Sequence, residues 1–282
     1  MSWGLRFHGV GGAGAVELGS AMASIERDGR PWLTIDCGGE GLSACLAHYG
    51  RAPDAWFVTH AHLDHVAGFE RLFVEAYFDP ARRGRVRVYV PAPLVPLLHR
   101  RVADYPNVLA EGGVNFWDAF QLIAVGDAFW HDSVRLEVFE ARHHWPGTAF
   151  GLRLPGSVVW TGDTRPIPET LAKMTAAGEV VAHDCGLHGN PSHSGIDDLE
   201  REYPPELLSR CVLYHYAGRA DGEALRALGY RVAEPGECMA LNAPLATTLT
   251  DDAQGSAADA TAAGAASATD NGLAASVSVF RS

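Results

Sequence analysis

Lysine is almost missing from this 282-residue chain: Lys173 stands alone among 22 basic residues. A Schiff base, a lysine general base or the lysine of a phosphate-cradling P-loop would all have to use it. Its neighbours Leu171-Ala172-Lys173-Met174 read as a helix surface, and the P-loop spacing is absent, so these chemistries are set aside. Cysteine is sparse as well. Cys37, Cys45, Cys185, Cys211 and Cys238 are odd in number, scattered and form no CxxC pair. That pattern argues against a disulfide framework and a cysteine zinc knuckle, and it fits a reducing compartment. No uninterrupted apolar run approaches the roughly 20 residues that span a bilayer. Met1-Ser2-Trp3-Gly4-Leu5-Arg6 has no basic segment leading into an apolar core, so a cytoplasmic protein with no membrane partner is expected.

Positive charge is in deficit. The formal charge is −12, of which Asp251, Asp252, Asp259 and Asp270 against Arg281 account for −3, leaving −9 for residues 1–244. This balance argues against long nucleic acid as a general partner. The one basic cluster, Arg82-Arg83-Gly84-Arg85-Val86-Arg87, reads first as an edge strand guarded by charge. A hydrophobic content of 47% with 9% aromatic suits a packed core. Beyond Leu245 the composition collapses to Ala, Thr, Gly, Ser and Asp. Residues 1–244 are expected to fold, and 245–282 to form a low-complexity, flexible tail.

What the chain does have is histidine in a telling place. Thr59-His60-Ala61-His62-Leu63-Asp64-His65 follows the apolar run Ala55-Trp56-Phe57-Val58. Side chains on an extended segment repeat every second residue, so His60 and His62 share a face and can hold one ion. Asp64 and His65 leave in another direction at the start of a helical pattern, where they can grip a second ion. Imidazole nitrogen with carboxylate oxygen suits borderline cations such as zinc, with manganese or iron(II) as alternatives. Two histidines do not saturate an ion, so further ligands are required at other strand ends. His143-His144 after Val134–Ala141, Asp163 after Val158-Val159-Trp160, and His215 after Cys211-Val212-Leu213-Tyr214 are the candidates.

The strand and helix pattern fits two sheets packed face to face with helices outside. Leu5–His8, Met22–Glu26 and Trp32–Ile35 read as strands, the last two joined at Asp28-Gly29. Leu42–Tyr49, Val66–Phe78 and Pro93–Val102 read as helices. A competing reading starts from Gly9-Val10-Gly11-Gly12-Ala13-Gly14, a GxGxxG with Asp36 22 residues on, which would suit a dinucleotide-binding protein. The Asp28-Gly29 hairpin speaks against the parallel crossover that such a site needs.

Taken together, these residues resemble the metallo-β-lactamase superfamily, and within it the ribonuclease Z and phosphodiesterase-like branch. The similarity runs from about residue 4 to 219. HxHxDH matches His60, His62, Asp64 and His65. Thr161-Gly162-Asp163-Thr164-Arg165-Pro166 is similar to that branch's SGDTRP, His193-Ser194 to its HST, and His215-Tyr216-Ala217-Gly218-Arg219 to its last motif. The resemblance implies an α/β, four-layer αββα sandwich. It implies two divalent metal ions, with His60, His62 and His144 on one, Asp64, His65 and His215 on the other, and Asp163 bridging. His143 remains open as the ligand in place of His144.

The implied activity is metal-dependent hydrolysis of a small phosphodiester or short RNA. Asp64 would orient the attacking hydroxide, and His193, oriented by Asp184, would serve as general acid. Arg165 and Arg219 are candidate phosphate clamps or, equally, ion-pair partners. The same ligands also serve lactonases, thioesterases and β-lactamases, and a metal-binding protein without hydrolytic activity uses them too. A homodimer is left open.

Overall fold

The strands Met22–Arg27 and Arg30–Ile35 meet at Asp28 and Gly29, both with positive φ (52° and 72°), a type I′-like turn that suits the twist of a two-residue hairpin. This computed structural model describes residues 1–104 and 112–246, and Met1–Leu245 forms one compact unit. The tail expected at 245–282 lies outside the described residues beyond Ala246.

Among the described residues the strands form two mixed sheets. The first has the order β13-β1-β2-β3-β4-β5-β6, with β1 at Trp3–Gly9, β2 at Met22–Arg27, β3 at Arg30–Ile35, β4 at Ala55–Phe57, β5 at Val86–Pro91, β6 at Phe120–Val125 and β13 at Cys238–Leu241. The second has the order β12-β11-β10-β9-β8-β7, with β7 at Ala128–His131, β8 at Val134–Glu140, β9 at Phe150–Leu154, β10 at Val158–Trp160, β11 at Val180–Asp184 and β12 at Cys211–Tyr214. In the first sheet β3 to β6 run parallel, and in the second β10 to β12 do. Ligand-bearing crevices form outside the carboxyl ends of such strands.

The inner layer is aromatic. Phe57 stacks on Phe129 across the two sheets with centroids 5.9 Å apart, and Phe7 meets Trp160 at 5.9 Å. The outer face of the first sheet buries Trp56 and Val88 together with Phe69 and Phe73 of α3, Phe69–Tyr77, and Leu98 of α4, Val95–Val102. Helix α1, Gly39–Tyr49, covers the same face and stops at Gly50, whose φ of +75° closes a left-handed cap on Leu46 O. Helices α5 (Pro168–Met174), α6 (Ile196–Glu202), α7 (Pro205–Leu208) and α8 (Arg219–Ala227) follow in the second half, and Leu171, Leu199, Leu207 and Leu225 join the second sheet's core. The result is the expected αββα sandwich. No helix among the described residues is long and apolar enough to cross a membrane.

Three local readings are corrected. The single helix expected at Val66–Phe78 is broken into α2, Leu63–Val66, and α3, because Gly68 packs onto the Cys37 carbonyl and donates its N–H there at 2.8 Å. A Cβ at Gly68 would sit 2.8 Å from Cys37 O. The arginine cluster does not mark an edge strand, since β5 lies between β4 and β6. Arg82 is buried and donates to Asp54 and to the carbonyls of Ala52 and Pro53, tying down the entry to β4. The GxGxxG segment leads into an antiparallel neighbour, β2, and opens no helix of a βαβ unit, which removes the dinucleotide reading.

Candidate metal centre

The histidine motif sits where the two sheets meet. Val58 N–H donates to Tyr89 O of the first sheet, while Thr59 O accepts from Phe150 N of the second at 2.9 Å, and His60 bridges to Ala149. This double anchorage fixes the start of the loop, and α2 then turns Asp64 and His65 inward. Gly38 allows that turn. A Cβ there would fall 2.1 Å from Asp64 O, so only glycine lets the segment after β3 lie against α2.

The downstream candidates converge on this loop. Asp163 follows β10 through Gly162, whose φ is +65° and where a Cβ would meet Phe150 O at 2.7 Å. One carboxylate oxygen, Asp163 Oδ2, faces four imidazoles: Nε2 of His65 and of His215 at 3.2 Å, of His60 at 3.5 Å and of His143 at 3.8 Å. Asp64 Oδ2 is 3.5 Å from His65 Nε2 and 3.8 Å from His215 Nε2. Three groups share Asp163: one of His60, His62 and His143, one of Asp64, His65 and His215, and a third of Asp184, His193 and His215. The ligand atoms in each lie within 4.8 Å of one another.

His143, rather than the expected His144, is the residue gathered in. Its Nδ1 is held by Ser192 O at 2.9 Å, and its Nε2 lies 3.3 Å from His62 Nδ1. Past β8 the chain bends back through Ala141 N–H to Ala149 O, and the His143 and His144 rings lie side by side with centroids 3.8 Å apart. His143 is buried, while His144 is exposed on the rim, where it packs on the His143 ring and its Nε2 reaches the outer nitrogen of His62.

The centre's electrostatics are those of a site built for cations. Burial raises Asp163's cost of ionisation, but His215, His65 and His60 outweigh it and hold the carboxyl well below the ordinary range. Burial alone would lower His215, yet the Asp163 and Asp184 carboxylates raise it to about 10. Asp163 and Asp36 likewise carry His65 well above its ordinary value against its desolvation. His60 goes the other way, pushed down by burial and the neighbouring His65. His60 Nε2, His65 Nε2, His215 Nε2 and both Asp163 oxygens are buried with no hydrogen-bond partner. Orphaned buried groups are costly. Here they point at one another and match the nitrogen and oxygen donor set of borderline cations, so the residues fit a pair of divalent ions.

Beyond the cluster, Asp184 Oδ2 accepts from His193 Nδ1 and from Thr164 N, each at 2.8 Å. Its Oδ1 lies 3.4 Å from His215 Nδ1. The aspartate therefore reaches His193, whose ring stacks on His215 with centroids 4.7 Å apart. Arg165 is engaged elsewhere. Its guanidinium donates to Asp198 at 2.6 Å and to the carbonyls of Asn190 and His193, so it fastens the loop that carries His193. Arg219 is exposed at the start of α8.

Asp36 was not singled out for this centre by its sequence. Its carboxylate accepts from Thr59 N, Thr59 Oγ1 and His65 Nδ1 at 2.7–2.8 Å, fully buried and with φ +64°. A metal-facing histidine commonly gives its other nitrogen to such a carboxylate. The available signal was its place directly after β3, with one residue between it and Gly38-Gly39. The glycine turn after β1 also serves the site. His215 N–H donates to Val10 O at 2.6 Å, and a Cβ on Gly12 would lie 3.2 Å from the His215 ring.

The two sheets, their flanking helices and the histidine and aspartate cluster are those of the metallo-β-lactamase fold, with side chains able to hold metal at its sheet ends. Among solved structures, the chain is similar to the metallo-β-lactamase fold protein YhfI of Bacillus subtilis (TM-score 0.67, 15% identity, 85% of this chain and 100% of that one). It is also similar to human tRNase Z, short form (TM-score 0.57, 17% identity, 85% of this chain and 100% of that one). The family model described as Anti-Pycsar protein Apyc1 matches residues 3–238, and the chain belongs to that family. An Anti-Pycsar protein Apyc1 from Saccharibacillus brassicae is 31% identical over 225 residues, 76% of this chain and 89% of that protein.

Proposed function

We propose that this protein is a phosphodiesterase that acts on a small phosphodiester with two divalent cations, and that cyclic mononucleotides are the substrates to test first. The observation that carries the reading is the set of buried, partnerless nitrogen and oxygen atoms around Asp163, next to a histidine already paired with a carboxylate. His60, His62 and His143 would hold one ion and Asp64, His65 and His215 the other, with Asp163 facing both. When bound, such a pair supplies Lewis acidity toward phosphate oxygens and brings the pKa of a shared water toward neutrality.

The chain's own residues do the rest. Asp64, partly exposed at the mouth, accepts a hydrogen bond from the attacking water and aims it at phosphorus. His193 gives its Nδ1–H to Asp184, which leaves Nε2 to carry a proton to the departing oxygen. Arg165 keeps that loop in place, and Arg219 is the candidate phosphate contact.

A cyclic mononucleotide suits the charge balance. It brings one negative charge, whereas an oligonucleotide repeats that charge at every residue against a domain of formal charge −9 over residues 1–244. Elemental analysis is expected to find close to two transition-metal ions per chain. A panel of cyclic nucleotides, short RNA, an activated diester, a lactone and a β-lactam tests the bond cleaved. Faster turnover of the lactone or β-lactam would overturn the reading.

A further inference from the structure

We infer that His144 is a positioning residue for His62, selecting the ring form of His62 that can hold a cation. This inference rests on the metal-site reading above. The two nitrogens of His62 face opposite ways. Nδ1 lies 3.3 Å from His143 Nε2, inside the gathered group, while Nε2 lies 2.7 Å from His144 Nε2 on the rim. A distance of 2.7 Å between two ring nitrogens is a hydrogen bond, so one nitrogen carries the proton and the other accepts it.

The direction follows from the chemistry. A nitrogen that holds a cation must present its lone pair, so His62 Nδ1 has to be bare and its proton must reside on Nε2. His62 Nε2–H then donates to His144 Nε2, whose own proton sits on Nδ1. A partner on the outer nitrogen thus fixes both the tautomer and the ring plane of His62, as Asp36 does for His65 from the other side. The loop is built to hold His144 there. Ala141 N–H donates to Ala149 O at 2.9 Å, Gly147 N–H to Glu140, Thr148 N–H to Trp145 O at 3.2 Å, and the adjacent His143 is tied to Ser192 O. The two histidines that the sequence leaves as rivals for one ligand position therefore divide the work: His143 faces the ion, and His144 orients its neighbour.

The test is metal binding by the metal-free protein, followed by titration with Zn2+ in the presence of a competing chelator. His144→Leu removes the acceptor. His144→Gln keeps a carbonyl oxygen that can accept the His62 proton, and His144→Lys offers only donors. Wild type is expected to bind two ions. His144→Leu is expected to bind two with one weakened about tenfold, His144→Gln to recover most of that loss, and His144→Lys to be weaker than His144→Leu. His143→Gln is expected to lose one ion outright. Because His144 is exposed, the melting temperature of the metal-free variants should stay at the wild-type value. Unchanged affinity in His144→Leu would overturn the inference, and so would loss of a whole ion, since that would make His144 a ligand. Failure of wild type to bind two ions would instead remove the metal reading itself.

Discussion

The two ends of the first sheet make a useful pair. At the end where β2 turns into β3 and β4 begins, a cavity of about 1190 Å³ opens among Arg27, Arg30, Arg51, Asp54, Arg87 and Asp132. Its charges largely answer each other: Arg51 pairs with Asp54, Arg87 with Asp132 at 3.3 Å, and both nitrogens of His131 are bonded, to Tyr89 and to Trp32 O. Trp32 Nε1 lacks a partner there, but a lone neutral N–H attracts no cation. At the carboxyl ends of the strands, by contrast, five buried polar atoms of His60, His65, His215 and Asp163 have no partner. Unmet polar demand, and not volume, separates the chemical end of the molecule from the merely concave one.

The sharpest way to test that contrast is to remove the shared carboxylate. Asp163→Asn is expected to lose both ions and to cut phosphodiester turnover on the order of 1,000-fold or more, since Asp163 faces both groups. Atomic absorption on the purified variant, beside its rate, checks this. Two retained ions would mean that Asp163 is not where the groups meet.

His193→Ala comes next. It is expected to keep both ions, to lose on the order of 100-fold on a substrate with an alkoxide leaving group, and to lose far less on a p-nitrophenyl ester, whose departing oxygen needs little protonation. Equal losses on the two substrates would take away its role as acid and leave it a loop residue. Asp184→Asn should reproduce the split more weakly, because His193 would lose its charged partner but keep its place.

Much of this chemistry is legible in the amino-acid order, for a definable reason. His60, His62, Asp64 and His65 are local: strand periodicity and one turn set their directions, so spacing alone places them. Asp163 and His215 are legible as polar residues at the ends of buried apolar runs. His143 and His144 differ only in how the chain bends after β8, and that bend is decided by Ala149 and Ser192, which no local pattern connects to them. Asp36 is distant from His65 by 29 positions and becomes its partner only when β3 and β4 lie side by side. Arg165 reads as a phosphate clamp until the fold brings Asp198 to it. Sheet order, which turns the arginine run from an edge into an interior strand, is likewise a property of pairing and not of any one segment.

Supporting groups and protons give smaller effects. Asp36→Asn should weaken binding of one ion about 10- to 100-fold, read by the same chelator competition. The pH dependence has a fixed sign. In the metal-free protein the carboxylates raise His215 to about 10, so at neutral pH a cation must displace its proton. Affinity is expected to rise about tenfold per pH unit for each proton displaced, up to about pH 10, and binding at pH 7 should release protons into a weakly buffered solution. The same raised pKa stabilises the metal-free fold below the ordinary histidine range, and that contribution is lost as pH rises through about 10. Affinity independent of pH between 6 and 9 would contradict the protonated state of His215.

The smallest effect is expected at the opposite end, and it completes the comparison. Arg87→Ala breaks a partly exposed pair with Asp132 and leaves that carboxylate open to water. Exposed pairs of this kind contribute on the order of 1 kcal/mol or less. The melting temperature should therefore fall by a few degrees at most, with the ion count and turnover unchanged. If Arg87→Ala instead raised KM for a cyclic nucleotide while leaving metal content intact, the paired charges of that cavity would be contacts made to a ligand, and satisfied hydrogen bonding would no longer distinguish the two ends of the sheet.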